Sequence, residues 1–220
     1  MKTSHLLIPI LLFTLATNTV FSQHKDHAEQ HQRDPDRERF YWQMPERVIE
    51  EVGIKEGMTV ADVGCGNGYF TLRIAERVGL SGKVYASDID KAALQSLKKK
   101  ASEGKLENIK IIYGKADNPM LPAGKIDLVL LVNVIHLIED PEAFFSNIAL
   151  CLKEDGYLVI VQWDAKKMDW ELREWDEENR KLFTMRTTLQ KIYEADYEVY
   201  RMETFLPMQN IYFCKPQELE

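Results

Sequence analysis

The chain has little of what staples a fold or holds a polyanion. Its 220 residues contain only three cysteines, Cys65, Cys151 and Cys214, and no two stand at C-x-x-C spacing. An odd number cannot pair completely, which argues against a disulfide framework and for buried, unpaired thiols. Lys and Arg never cluster into a dense stripe, and the formal net charge is −7. A nucleic acid or anionic lipid is therefore a poor partner for it. The run Lys98-Lys99-Lys100 is too short to change that, and it suits the solvated end of a helix, where positive charge meets the dipole favourably. There is no internal repeat.

Long apolar runs are also missing. The most hydrophobic stretch, residues 6–16, has about 11 residues, too few to cross a hydrocarbon core of ~30 Å as a helix. It has the length of a signal-peptide core, with Lys2 before it and a small-residue site ending at Ser22 behind it. The expectation is a signal peptide over residues 1–22, cleavage before Gln23, and export to a periplasmic or extracellular compartment with no integral membrane segment left after processing. An uncleaved anchor is the alternative. Residues 23–39 have almost no apolar content and read as a polar, His-containing leader. Although His24, His27 and His31 would fall near one helical face, nothing anchors that helix and no carboxylate or cysteine completes a ligand set. No metal site is expected.

What the chain does have is concentrated between residues 58 and 88. Met58-Thr-Val-Ala-Asp-Val-Gly-Cys-Gly-Asn-Gly68 runs from an apolar strand into three closely spaced glycines, and a second apolar run ends at Asp88. Glycines let a backbone turn sharply and approach a ligand, because no Cβ stands in the way. An acid closing the next strand can accept from both hydroxyls of a ribose. The register matters: Gly64, Gly66 and Gly68 make G-x-G-x-G, while Tyr69 stands where a dinucleotide fingerprint wants its third glycine. That counts against NAD and FAD.

This segment resembles the glycine-rich motif and ribose-binding acid of class I S-adenosylmethionine-dependent methyltransferases. Two later segments extend the likeness: Gly114-Lys-Ala-Asp117 is similar to the family's adenine-contacting segment, and Ile126-Asp-Leu-Val-Leu-Leu-Val-Asn133 to its fourth strand. Arg37, Trp42, Gln43 and Pro45 also resemble a recurring lead-in segment of an exported branch of that family. The resemblance spans roughly residues 45–163. It implies S-adenosyl-L-methionine as cofactor, held by Asp62, Gly64, Cys65, Gly66, Gly68, Asp88, Ile89, Ala116, Asp117 and Asn133. Asp62 would orient the methionine amino group or cap the turn amides, Asp88 would hold the ribose, and Asp117 would accept from the adenine amino group or sit in a surface turn.

Periodicity supplies the rest of the architecture. Strands are expected at residues 59–63, 84–87, 109–113, 126–132 and 157–162, and the apolar positions Phe70, Ile74, Ala75 and Val78, then Leu94, Leu97 and Ala101, recur at helical spacing between them. Pro45 opens a helix before the first strand, and Phe144, Phe145, Ile148 and Leu152 mark one that Gly156 closes. A helix from about Thr187 to Ala195 and two extended stretches, residues 197–204 and 210–214, complete the tail, the last two as an antiparallel pair. The alternation requires a parallel sheet with helices on both faces, and the family resemblance adds the tail to it, so the expected fold is α/β: a Rossmann-like, seven-stranded, mostly parallel sheet with an antiparallel C-terminal strand, forming one domain over residues 40–220.

Transfer of a methyl group from a sulfonium needs positioning more than acid–base chemistry. If the acceptor must lose a proton, His136 is the candidate base, three residues beyond Asn133, with an ordinary pKa of ~6.5. It is equally readable as a packed histidine between Ile135 and Leu137. Asn133-Val-Ile-His lacks the two prolines and aromatic that nucleobase amino-methyltransferases carry there, so the partner expected is a small-molecule acceptor, which Trp170 and Trp175 could cover unless they pack on the domain's flank. Tyr41 or Trp42 could lid the pocket or pack in the core. A non-catalytic binder of nucleosides or S-adenosyl compounds, and a hydrolase of such compounds, remain alternatives on the same fold.

Overall fold

The computed structural model describes residues 35–168 and 184–217. They belong to one compact unit, Pro35–Glu220. Residues 1–22, where a signal peptide is expected, and His24, His27, His31, Trp170 and Trp175 lie outside the described residues. The strands are β1 (Thr59–Val63), β2 (Lys83–Asp88), β3 (Ile109–Tyr113), β4 (Ile126–Val132), β5 (Leu152–Trp163), β6 (Tyr197–Glu203) and β7 (Gln209–Pro216). The α-helices are α1 (Pro35–Gln43), α2 (Pro45–Glu51), α3 (Tyr69–Val78), α4 (Lys91–Glu103), α5 (Pro141–Cys151) and α6 (Met185–Tyr193).

All seven strands join one sheet in the order β3-β2-β1-β4-β5-β7-β6. β1 pairs in parallel with β2 on one side and with β4 on the other. From β1 the chain steps outward through α3 and α4 to β3, then returns across the sheet to β4. The reversal of direction falls between β1 and β4, and in open α/β sheets a ligand crevice opens there, beyond the carboxyl ends of the strands. β7 enters between β5 and β6 and is antiparallel to both, as the tail pattern predicts.

Two apolar layers hold helices to the sheet. On one face Phe145 and Ile148 of α5 and Ile192 of α6 pack on Val129, Leu131 and Ile160. On the other, Val48 and Ile49 of α2 and Phe70, Ile74 and Val78 of α3 pack on Val60, Leu128, Leu130 and Val159. Leu94 and Leu97 of α4 cover Ala86 beside Leu72. Local chemistry sets the helix starts. Asp90 accepts from the amides of Ala92 and Ala93, Asp140 accepts from Ala143 just before Pro141, and Thr184 shares a reciprocal cap with Thr187. That last cap moves the start of α6 ahead of Thr187, where apolar spacing alone put it. No helix among the described residues is long and apolar enough to cross a membrane.

Two boundaries differ from the sequence reading. α1 takes in residues 35–39, which composition assigned to the polar leader. α5 stops at Cys151, and Leu152 already belongs to β5, with a register irregularity between Ile126 and Leu128. Gly156 therefore caps no helix. A Cβ on it would stand 2.8 Å from the Ile126 carbonyl oxygen and 2.9 Å from the backbone of Lys153, so the irregularity itself requires glycine.

Candidate functional site

The turn after β1 is hung from the end of β2: the amides of Gly64 and Cys65 both donate to the Ser87 carbonyl, at 2.8 and 3.2 Å. Its three glycines have φ of +72°, +54° and +91°, all left-handed. They differ in what a side chain would meet. A Cβ on Gly64 would lie 2.3 Å from Val134 Cγ2, and one on Gly68 would lie 2.4 Å from Leu97 Cδ1, whereas one on Gly66 would meet nothing within 4 Å. Protein packing thus explains the outer glycines. In front of the middle one is open space.

Asp88 faces that space from the end of β2. Its Oδ2 accepts from the Gly66 amide at 2.7 Å and its Oδ1 from the Asp90 amide at 2.9 Å, so the acid holds the turn in place. A carboxylate can accept about four hydrogen bonds, and capacity for a ligand remains. A cleft opens alongside, lined by Gly64, Ser87, Asp88, Ile89, Gly114, Lys115, Ala116 and Pro119 from the β2 and β3 side. Asn133, Val134, Leu137, Ile138 and Phe144 close it from the β4 side. Its walls are mostly apolar, and Ile89 is 58% exposed, an unusual fraction for isoleucine beside a strand end. A flat base between apolar walls with a carboxylate at the rim is what a nucleoside requires. The wall after β4 is braced by Lys191 of α6, whose Nζ donates to the carbonyls of Ile135 and Ile138 at 2.8 Å each. Burial lowers that lysine's pKa.

Asp62 sits beneath the turn, 2% exposed, and accepts from Thr71 Oγ1 at 2.6 Å rather than from the turn amides. Burial raises its pKa to about 6, against the lowering effects of the Thr71 hydroxyl and the Arg39 guanidinium. Arg39 reaches this region from α1 and lies 4.0 Å from the centroid of the Tyr69 ring. Tyr69, the residue that breaks the dinucleotide register, thus supports a cation.

A second polar arrangement runs along the opposite side of Asn133. Arg39 Nε donates to Gln43 Oε1, Gln43 Nε2 donates to Gln209 Oε1 at 3.2 Å, and Gln209 Nε2 donates to Asn133 Oδ1 at 2.7 Å. Both glutamines are fully buried. Asn133 has φ +58°, a region asparagine tolerates better than most residues, and its backbone N–H donates to the Val161 carbonyl at 2.8 Å.

The structure brings Gly64, Asp88, Ile89, Ala116 and Asn133 together at one cleft, with Gly66 at its rim and Asp62 below. Cys65 and Gly68 are inside the turn but outside the lining; Cys65 is buried, and burial raises its thiol pKa. Asp117 is exposed beside the lining residue Ala116, with its backbone carbonyl accepting from Asn147. His136 is also off the lining. It lies in a 3-10 turn, Ile135–Leu137, with its ring 3.3–3.4 Å from the Gln162 amide. Trp42 stacks on Trp163 with centroids 4.6 Å apart, and Tyr41 is 67% exposed, so neither covers the cleft. All three cysteines are buried and unpaired, and no metal-binding cluster occurs among the described residues. Gln209, Leu137, Ile138 and Phe144 were not legible as site residues; Phe144 has helical core spacing, and Gln209 stands in a strand pattern without a motif.

A family model described as a methyltransferase domain matches residues 54–204. Among curated proteins the chain is 30% identical over 117 residues to a demethylmenaquinone methyltransferase of Geobacillus, covering 53% of this chain and 50% of that protein. It is 31% identical over 122 residues to the nocamycin O-methyltransferase of Saccharothrix syringae, covering 56% and 44%. The chain spans about half the length of the curated relatives it matches. A solved S-adenosylmethionine-dependent methyltransferase from Aquifex aeolicus is 25% identical with a TM-score of 0.72, covering 82% of this chain and 93% of that one. With the glycine turn, the acid at the end of β2, the sheet order and a domain match over more than half its length, the chain belongs to the class I S-adenosylmethionine-dependent methyltransferase family.

Proposed function

We propose that the protein transfers a methyl group from S-adenosylmethionine to a small organic acceptor entering over the ends of β4 and β5. The observation that carries this reading is the pairing of an open, left-handed Gly66 with an Asp88 carboxylate beside an apolar cleft. When bound, S-adenosylmethionine supplies a methyl carbon activated by its sulfonium. Asp88 holds the ribose hydroxyls, Ile89 and Phe144 flank the base, and the backbone around Ala116 reads its edge. Asp62, whose charged form the Arg39 guanidinium favours, orients the amino acid end. Asn133 stands at the reacting end. The residues accelerate transfer by fixing the acceptor near the methyl group and excluding water.

The small acceptor is supported by the relatives, which are named for methylation of demethylmenaquinone and nocamycin. Titration calorimetry with S-adenosylhomocysteine, run beside a product assay over small acceptors, tests the reading. Each charge-assisted hydrogen bond is worth roughly 1.5–3 kcal/mol, so Asp88→Ala should weaken binding at least tenfold. Unchanged affinity in a folded variant would overturn the role of Asp88. Tight binding by the wild type without product from any acceptor would leave a ligand-binding protein instead. Export with removal of residues 1–22 is a further part of the proposal, supported by the short apolar core and the small residue at Ser22. The mature protein should have the mass of a chain beginning at Gln23, and a mass retaining Met1 would refute it.

A further inference from the structure

The amide chain ending at Asn133 has a direction, and the direction follows from its first member. A guanidinium has donors and no acceptor. Arg39 Nε can therefore meet only the oxygen of Gln43, which turns the Gln43 nitrogen toward Gln209. Gln209 must offer its oxygen there and its nitrogen to Asn133, whose oxygen is then consumed. Flipping any one of the three amides would set like atoms against each other along a chain whose two glutamines are fully buried. What remains for the cleft is the Asn133 side-chain nitrogen, Nδ2, and among the described residues nothing accepts from it. Asn133 lines the cleft at the carboxyl end of β4, on the far side from Asp88.

We infer that Asn133 presents a fixed N–H donor to the acceptor, and that the acceptor class is therefore a phenolate or enolate, whose oxygen this donor holds. The inference rests on the methyltransferase reading of the same cleft. An amine acceptor would need the opposite polarity, a carbonyl or carboxylate to take up its N–H. For the proposed class the balance is simple. The acceptor, already deprotonated to the solvent, uses its electron pair to bond the methyl carbon, from oxygen or from the adjacent carbon. The carbon–sulfur bond breaks with its pair left on sulfur, and the anionic and sulfonium charges cancel. A donor preset toward the anionic oxygen orders it without reorganisation at the moment of transfer. Gln209, Gln43 and Arg39 are positioning residues that act through Asn133.

The test uses full-length protein saturated with S-adenosylhomocysteine, with 4-nitrophenolate as a chromophoric probe, together with turnover on catechol, a cyclic 1,3-diketone and a primary amine. Wild type should bind the phenolate with a shifted absorption band and should methylate the catechol or the diketone but not the amine; product analysis separates oxygen from carbon methylation. Asn133→Asp, which can only accept, should lose probe affinity at least tenfold and kcat by about 10² or more, the scale of removing one preset donor. Its affinity for S-adenosylhomocysteine should stay within threefold. Gln209→Glu should show the same losses at pH 8, and its probe affinity relative to wild type should recover toward pH 6 as the introduced carboxyl regains a donor. A structural role alone gives no such recovery. The inference is overturned if wild type prefers the amine or does not bind the phenolate, if Asn133→Asp keeps its rate, if cofactor affinity falls in step with probe affinity, or if the pH recovery is missing. Failure of S-adenosylhomocysteine to bind the wild type would instead sink the methyltransferase reading beneath it.

Discussion

The two walls of the cleft are built in different ways. The cofactor side is made of backbone: three glycines in five residues, two amides on the Ser87 carbonyl, and an acid whose partner Gly66 is 22 positions away. The side after β4 is made of side chains from distant parts of the chain, with Gln43 and Gln209 166 positions apart and Gln209 and Asn133 76 positions apart. Backbone geometry of the first kind restricts which residues can stand there. A buried amide relay restricts only what its members can donate and accept, and it can be assembled from any elements that meet. One wall is therefore suited to a shared ligand, the other to a partner that differs between proteins.

The sharpest way to break this comparison lies inside the glycine turn. Gly64→Ala puts a methyl group into Val134 at a left-handed position, adding overpacking of about 1–3 kcal/mol to a conformational cost of about 1–2 kcal/mol. Gly66→Ala bears only the second cost. In thermal melts Gly64→Ala should fall by about 5–15 °C and Gly66→Ala by less than half as much, for a domain of this size. Calorimetry should show the reverse order of consequence, with Gly66→Ala folded yet losing about 10² in affinity for S-adenosylhomocysteine, since its methyl group projects where the ligand approaches. Equal affinity in Gly66→Ala and wild type would mean that the open space is not the cofactor's.

A smaller effect separates function from stability at Asp62. Its pKa is raised from 3.8 to about 6 by burial. A carboxylic acid shifted upward holds its proton better in the folded state, so folding is favoured below that range and loses stability as pH rises from about 4 to about 6. The shift corresponds to roughly 3 kcal/mol of destabilisation at neutral pH. Asp62→Asn should therefore be more stable than wild type at pH 8 by about 1–3 kcal/mol, after allowing about 1 kcal/mol for the weakened bond to Thr71, and should show no gain at pH 4. Urea unfolding at the two pH values measures this. Loss of cofactor affinity in the more stable variant would identify why a costly buried charge is kept; retained affinity would remove Asp62 from the site.

The same division explains what could be read in advance. Alternating strands and helices, the glycine turn, Asp88 and the antiparallel β7 follow from local periodicity and spacing, and each stands where those signals put it. Gly156 misled because a glycine after an apolar helical stripe looks like a cap, whereas its requirement comes from Ile126 on a neighbouring strand. Asp117 and His136 carry suitable chemistry at suitable distances along the chain, but Ala116 and Leu137 are their neighbours that reach the lining. Gln209 had no local signal, because its importance exists only once β7 has entered the sheet between β5 and β6.

The smallest expected effect concerns how α1 is held, since the relay needs Arg39 and Gln43 in place. Trp42 meets Trp163 at the end of β5 with ring centroids 4.6 Å apart and planes at 34°, while Gln43 beside it is fully buried. Such an aromatic pair contributes about 0.5–1.5 kcal/mol beyond its area. A double-mutant cycle with Trp42→Leu and Trp163→Leu should return a coupling in that range by urea unfolding. If Trp42 acts only by docking α1 against the sheet, S-adenosylhomocysteine affinity should change less than twofold in Trp42→Leu, because the ring faces Trp163 and not the cleft. Turnover should fall more than cofactor affinity, since loosening α1 frees the head of the relay and with it the orientation of Asn133. A Trp42→Leu variant that loses cofactor binding tenfold while its coupling to Trp163 is zero would instead make Trp42 part of the cofactor wall, and the contrast between the two sides of the cleft would then have to be redrawn.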